Sequence, residues 1–345
     1  MNKAKKLLLL AFTALSLLIL TACGQDNPAP AGPGPAAEGE ALAKITFVLD
    51  WAPNTNHTGL YVAQAQGYFA QAGLEVEIVQ PPEDGAEVLV GSGKAQLGVS
   101  FQDTMAPALT GDAPLPITAV AAVLQHNTSG IISRRGEGLE RPQGLAGKKY
   151  ATWDLEVEKA MLRNVVEADG GDFSQVALVP STVTDEVSAL QSGSVDAIWI
   201  FYGWAGVNTE VAGLATDFFA FKDINPVFDY YTPVIIANNE FLEADPAAAR
   251  AFLAALAQGY EYAAQHPAEA GEMLLAQCPE LADSRELILA SQDYLAGQYL
   301  AEAPQWGIFD PDRWNGFYAW LSENGLLAEE IPANTGFTND YLPGH

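Results

Sequence analysis

The chain has 345 residues, with 43 acidic against 16 basic side chains and a net charge of −27. A surface this acidic argues against a nucleic-acid binder, which needs a basic stripe, and against a protein that lies flat on anionic lipid. Two cysteines and four scattered histidines leave no Cys/His zinc site, and the length allows two domains with sizeable cores.

In chain order, Lys3, Lys5 and Lys6 precede an apolar run from Leu7 to Leu20, which ends in Leu20-Thr21-Ala22-Cys23. A bilayer span needs about 20 apolar residues, so the run reads better as a secretory h-region. The small residues before Cys23 make it a bacterial lipoprotein signal, against the plainer reading of a buried N-terminal helix. Removal of residues 1–22 takes away three lysines and no acid, which leaves −30, and puts the lipid on Cys23. The remainder is then extracytoplasmic and anchored to the cell membrane. Cys278 is left without a partner, so core burial rather than a disulfide must hold the fold. Residues 23–43 are rich in Pro, Ala and Gly and read as a tether.

Strand and helix patterns then alternate. Ile45–Leu49 is a strand, Leu60–Ala70 a helix, Leu74–Val79 a strand, Gly85–Gly91 a helix and Ala95–Ser100 a strand. Thr104–Leu109 is a helix and Ile117–Leu124 a strand. A second cycle has strands at Lys148–Thr152, Val176–Val179, Ala197–Phe201 and Phe218–Phe221, with helices at Val157–Ala168, Asp185–Gln191 and Trp204–Ala212. After the strand Val234–Ala237 the chain turns helical, over Ala247–Gln265, Pro267–Gln277, Ser284–Tyr299 and Asp310–Glu323. This spacing predicts an α/β protein with mostly parallel sheets. Two cycles suggest two lobes: residues 44–130 with 235–345, and residues 131–234. Two crossings between them make a two-strand hinge, with the ligand cleft between the lobes.

Ligands of open α/β sheets bind beyond the carboxyl ends of the strands. Three such ends are rich in polar and aromatic residues: Asp50 to Tyr61, Ser100-Phe101-Gln102-Asp103-Thr104, and Phe201-Tyr202-Gly203-Trp204 with Trp153 to Glu156 beside it. Indoles and phenols stack on planar rings, while carboxylates and amides pair with ring nitrogens and amino groups. The set suits a flat, polar, nitrogen-bearing ring. Each residue also has a structural reading. Asp50 and Asn54 suit helix caps, and Asn54 and Asn56 suit turns. Trp153, Tyr202 and Trp204 suit a core, His57 suits a hydrogen-bonding role, and Glu156 and Glu158 suit the start of a helix. No G-x-S-x-G, P-loop or H-E-x-x-H pattern is present. No catalytic set, cofactor or metal site is therefore expected.

The segment LDWAPNTNHTGLYVAQAQGYFAQAGLEVEI (Leu49 to Ile78) resembles the opening of bacterial substrate-binding proteins for thiamin pyrimidine precursors. LAGKKYATWDLEVEKAMLRNVVEADGGDFSQV and VDAIWIFYGWAGV resemble the same family, so the similarity covers most of residues 45–240. The resemblance implies a two-lobed periplasmic-binding-protein fold of type II. It places Asp50, Trp51, Asn54, His57 and Tyr61 on the first wall of the cleft, and Trp153, Glu156, Tyr202 and Trp204 on the second. Gln102, from the middle cluster, joins them as a candidate ligand residue. Family members often carry an acid where this chain has Ala205. The related fungal pyrimidine synthase has a cysteine-rich motif that is absent from this sequence.

The expected function is that of a monomeric lipoprotein of an ABC importer, partnered by a membrane permease. Its ligand would be a small heteroaromatic molecule, formylaminopyrimidine or hydroxymethylpyrimidine. Riboflavin, a small sulfonate and nitrate are alternatives, although no arginine falls in the three strand-end clusters. The alternative from another class is a pyrimidine-synthesis enzyme.

Overall fold

A computed structural model of the protein describes residues 42–344. The signal segment, Cys23 and nearly all of the tether lie outside the described residues. Among the described residues, ten strands form two five-stranded sheets. In the first lobe these are β1 (Ala43–Val48), β2 (Leu74–Val79), β3 (Leu97–Ser100) and β4 (Ile117–Ala122). The second lobe has β5 (Ser129–Arg134), β6 (Lys149–Thr152), β7 (Ala177–Pro180), β8 (Ala197–Phe201) and β9 (Thr216–Ala220). The last strand, β10 (Val234–Asn238), returns to the first sheet. The strand orders are β2-β1-β3-β10-β4 and β7-β6-β8-β5-β9.

The two sheets share one plan. Three parallel strands (β2, β1, β3 and β7, β6, β8) continue into an antiparallel one, β10 or β5. Each antiparallel strand follows directly on one of the two passages between sheets, 123–128 and 221–233. Ser129 and Gly130 already pair with Phe201 and Ile200 of the second sheet, and Val234 pairs with Ser100 of the first. The sequence pattern predicts no strand at β5. Its SGIISR string carries no alternation, because a central strand covered on both faces needs none.

Alternation in the first sheet has its physical reason in two-sided burial. Ile45, Phe47 and Leu49 of the β1 region join one core with Phe252, while Val48 joins the other. Ile235 and Ala237 likewise belong to the first core, and Val234 and Ile236 to the second. Such period-2 division between two apolar layers follows from the pleat. The helices Thr58–Ala65 and Pro246–Gln265 cross at backbone contact over this sheet. A Cβ at Gly259 would lie 2.0 Å from the Gly59 carbonyl oxygen, and one at Gly59 would lie 2.3 Å from the Tyr260 ring. Only glycine permits this approach, which accounts for Gly59 in the Asn-His-Thr-Gly string.

A chain of rings ties the second sheet to the C-terminal helix Pro311–Glu323. Trp199 meets Phe221 at 4.1 Å between centroids, Phe221 meets Phe228 at 6.5 Å, and Phe228 meets Trp320 at 4.9 Å. Among the described residues no helix is long and apolar enough to cross a membrane, and no Cys/His/Asp/Glu group has metal-site geometry. Cys278 is buried and free.

Candidate functional site

The carboxyl ends of β1 and β3 form the first wall. Beyond β1 the chain makes a tight 3-10 turn over Thr55–His57, capped by Asn54, whose Oδ1 accepts from the Asn56 amide at 2.9 Å. His57 is 1% exposed. Its Nδ1 accepts from the Asn54 amide at 3.2 Å, so the ring proton sits on Nε2 and is donated to Asp50 Oδ1 at 2.6 Å. His57 thereby fixes the Asp50 carboxylate at the strand end. Trp51 projects from the same loop and is 63% exposed, the most exposed large apolar side chain described. A recess of about 400 Å³ opens beside it, lined in part by Asp50, Glu87, Val88 and Phe101. Glu87 accepts from Ser100 Oγ at 2.5 Å.

The second wall lies beyond β6, β7 and β8. Here a pocket of about 150 Å³ is walled by Trp153, Trp199, Phe201 and Trp204, with Glu186 and Ser181 on its polar side. Trp153 follows β6 in a loop that Asp154 turns with a left-handed φ of 64°. Asp is among the few non-glycine residues that tolerate this region. The loop is pinned from below by Glu158, a buried acid of the helix Glu156–Ala168. Glu158 accepts from the Tyr150 hydroxyl at 2.6 Å, Thr152 Oγ1 at 2.9 Å and the Trp153 amide at 3.1 Å. Burial, reinforced by this carboxylate, holds the Tyr150 hydroxyl well above the ordinary phenol range.

Two contacts join the walls. Phe101 of the first stacks on Phe201 of the second, with centroids 6.2 Å apart. The Thr55 hydroxyl lies 2.5 Å from Ser291 Oγ, which in turn donates to the Gly203 carbonyl. A serine hydroxyl has one proton, so Thr55 must be the donor in the first of these bonds.

The ten candidate residues divide accordingly. Asp50, Asn54 and His57 form one cluster at the end of β1, with Trp51 beside it. Trp153 and Trp204 line the pocket of the second wall. The other four take different places. Gln102 is fully buried, with Nε2 donating to the Trp314 carbonyl at 2.9 Å and Oε1 accepting from the Tyr231 amide at 2.9 Å. Tyr61 packs among Leu274, Cys278, Leu281 and Ile288 of the C-terminal helices, and burial raises its hydroxyl far above the usual range. Glu156 points outward and pairs with Lys159 at 2.6 Å. Tyr202 is wedged between Phe218 and Tyr294 and donates to Glu210; burial and that carboxylate push its hydroxyl up to about 12.

Trp199, Glu186, Ser181, Glu87 and Val88 are wall residues that the sequence pattern does not single out. Trp199 reads there only as part of a strand. Glu186 opens a helix just after β7, so the strand-end rule applied to β7 as well would have found it.

The chain is 30% identical over 342 residues to the formylaminopyrimidine-binding protein of Halalkalibacterium halodurans, an alignment spanning 94% of this chain and 96% of that protein. It is 28% identical to the 4-amino-5-hydroxymethyl-2-methylpyrimidine phosphate synthase THI13 of Saccharomyces cerevisiae, over 69% of this chain and 72% of the synthase. Among solved structures, the periplasmic aliphatic sulphonate-binding protein SsuA of Escherichia coli superposes with a TM-score of 0.64 at 14% identity, covering 85% of this chain and 90% of SsuA. The architecture is thus that of the two-lobed periplasmic binding proteins. The NMT1/THI5-like family model matches residues 54–270. The chain belongs to the NMT1/THI5-like family.

Proposed function

We propose that this protein is the solute-binding component of an ABC importer and that it carries a thiamin pyrimidine precursor, formylaminopyrimidine or hydroxymethylpyrimidine. The observation that carries this reading is the pocket of about 150 Å³ with three indoles, one phenyl ring, one carboxylate and no cation on its walls. An apolar cavity of about that size accepts a single six-membered ring, as benzene-binding cavities do. The three fused rings of riboflavin exceed it. Sulfonate and nitrate call for arginine or lysine, whereas the acids on the two walls are Asp50, Glu87 and Glu186. Near-complete alignment with a binding protein, against partial alignment with the fungal synthases, favours binding over synthesis.

In this reading the ring stacks between indoles of the second wall. Closure then brings Trp51 and the His57-oriented Asp50 carboxylate against it. The ligand shifts the open–closed balance only by contacts it gains on closing. Lipidation at Cys23 would hold the protein at the outer face of the cell membrane beside its permease. The passages near residues 130 and 234 would serve as the hinge between lobes. A thermal-shift panel tests the cargo. Hydroxymethylpyrimidine at one hundred times its dissociation constant adds about 2.7 kcal/mol of stability, while riboflavin, taurine and nitrate leave the melting point unchanged. A shift with taurine or nitrate and none with any pyrimidine would overturn the assignment.

A further inference from the structure

Glu186 is the only ionisable side chain lining the aromatic pocket. It stands at the start of the helix Glu186–Ser192, just past the cap Asp185, and its carboxyl makes no ion pair or hydrogen bond with any other described side chain. The nearby acids are occupied: Asp185 accepts from the Ser188 amide at 2.9 Å and Glu158 is saturated by the Trp153 loop. Across the pocket, Ala205 brings no polar atom. A carboxyl group that is partly enclosed by indoles, with its own backbone amide as its hydrogen-bond donor and no side-chain partner, keeps bonding capacity for whatever enters.

We infer that Glu186 is the specificity-determining residue of this site, and that it reads the amidine edge of an aminopyrimidine by accepting the exocyclic N–H and sharing one proton with the adjacent ring nitrogen. The inference rests on the pocket being a pyrimidine site. A carboxyl and an aminopyrimidine edge match as donor–acceptor pairs side by side, in a planar two-bond arrangement. The proton count balances in two ways. A neutral carboxylic acid donates its O–H to the ring nitrogen, or a carboxylate accepts N–H from a protonated ring. Burial, with a smaller contribution from Asp185, raises the Glu186 carboxyl above its ordinary range, which eases such sharing. The neighbouring indoles supply stacking that is indifferent to the ring's substituents, so discrimination falls to the one acid.

The test uses the full chain, wild type and Glu186→Met, with two probes titrated calorimetrically: 4-amino-5-hydroxymethyl-2-methylpyrimidine and the same ring without its 4-amino group. Wild type is expected to prefer the amino compound. Glu186→Met, which can neither accept nor donate a hydrogen bond, should lose about 10- to 100-fold in affinity for it, the size of a hydrogen bond to a charged group with its neighbour, while the desamino ring, which keeps only the ring-nitrogen bond, loses less than about tenfold, the size of one ordinary hydrogen bond. Unchanged affinity for the amino compound, or equal loss for both probes, would overturn the role of Glu186 and leave the pyrimidine assignment standing. Failure of the wild type to bind either probe would overturn both.

Discussion

Replacing Glu158 by alanine is expected to lower the stability of the folded chain by about 3–4 kcal/mol and to weaken ligand binding about tenfold. Glu158 is 2% exposed and accepts hydrogen bonds from the Tyr150 and Thr152 hydroxyls and from the Trp153 and Leu155 amides, at 2.6 to 3.3 Å. Truncation strands the buried Tyr150 and Thr152 hydroxyls, and each buried unsatisfied group costs about 1–3 kcal/mol before the loop relaxes. The relaxation has a functional consequence. The amide of Trp153 is one of the four donors, so the indole that walls the pocket loses its anchor. Glu158→Gln retains one acceptor oxygen and should fall between wild type and alanine. Urea unfolding gives the stability change, and titration of a pyrimidine gives the affinity change. A loss below about 1 kcal/mol for Glu158→Ala would mean that water replaces the carboxylate without cost.

The second large effect concerns Asp103 and has the opposite sign. Asp103 follows Gln102 at the carboxyl end of β3. Its Oδ1 is cut off from solvent and has no partner, while its Oδ2 meets the Tyr230 hydroxyl only at 3.4 Å. Burial, with a smaller push from Glu87, raises its carboxyl to about 6, although nearby backbone amides and Tyr230 act against the shift. A carboxyl whose pKa is higher in the folded than in the unfolded chain keeps its proton longer when folded. Stability therefore falls as pH rises from about 4 to about 6, and the penalty is complete above that window. Asp103→Asn removes the buried charge at constant size. It should gain about 1–3 kcal/mol at pH 7.5, little at pH 4, and flatten the profile between the two. Denaturant melts of both proteins at the two pH values check this. A variant less stable than wild type at both would show that the ionised carboxylate is wanted where it sits.

Glu158 and Asp103 also mark where sequence reading stops. The succession of strands and helices is legible because apolar period-2 and period-3.6 patterns depend on local geometry alone. Asp50, Trp51, Trp153 and Trp204 all follow strand ends, where the rule for open α/β sheets expects a ligand. What a given polar side chain does there depends on partners distant in sequence. Gln102 turns inward because Tyr231 and Trp314 offer an amide and a carbonyl more than a hundred residues later. Tyr61 is claimed by the C-terminal helices in the same way. Glu156 and Glu158 are two residues apart at one helix start, and only the direction in which that helix leaves β6 decides which is buried. The helix read over Trp204–Ala212 begins instead as a π-turn over Tyr202–Gly206, followed by an α-helix from Val207. That wider turn occurs where Gly203 packs against Leu295 and its carbonyl accepts from Ser291, contacts that no local pattern records.

The proposed cargo requires the cleft to hold one small aminopyrimidine and no anion. Isothermal titration of the protein with hydroxymethylpyrimidine, and separately with taurine, tests it most directly. The expected result is saturation at one pyrimidine per chain, a negative heat-capacity change from apolar burial, and no heat with taurine. Saturable binding of taurine, with no heat from the pyrimidine, would contradict it.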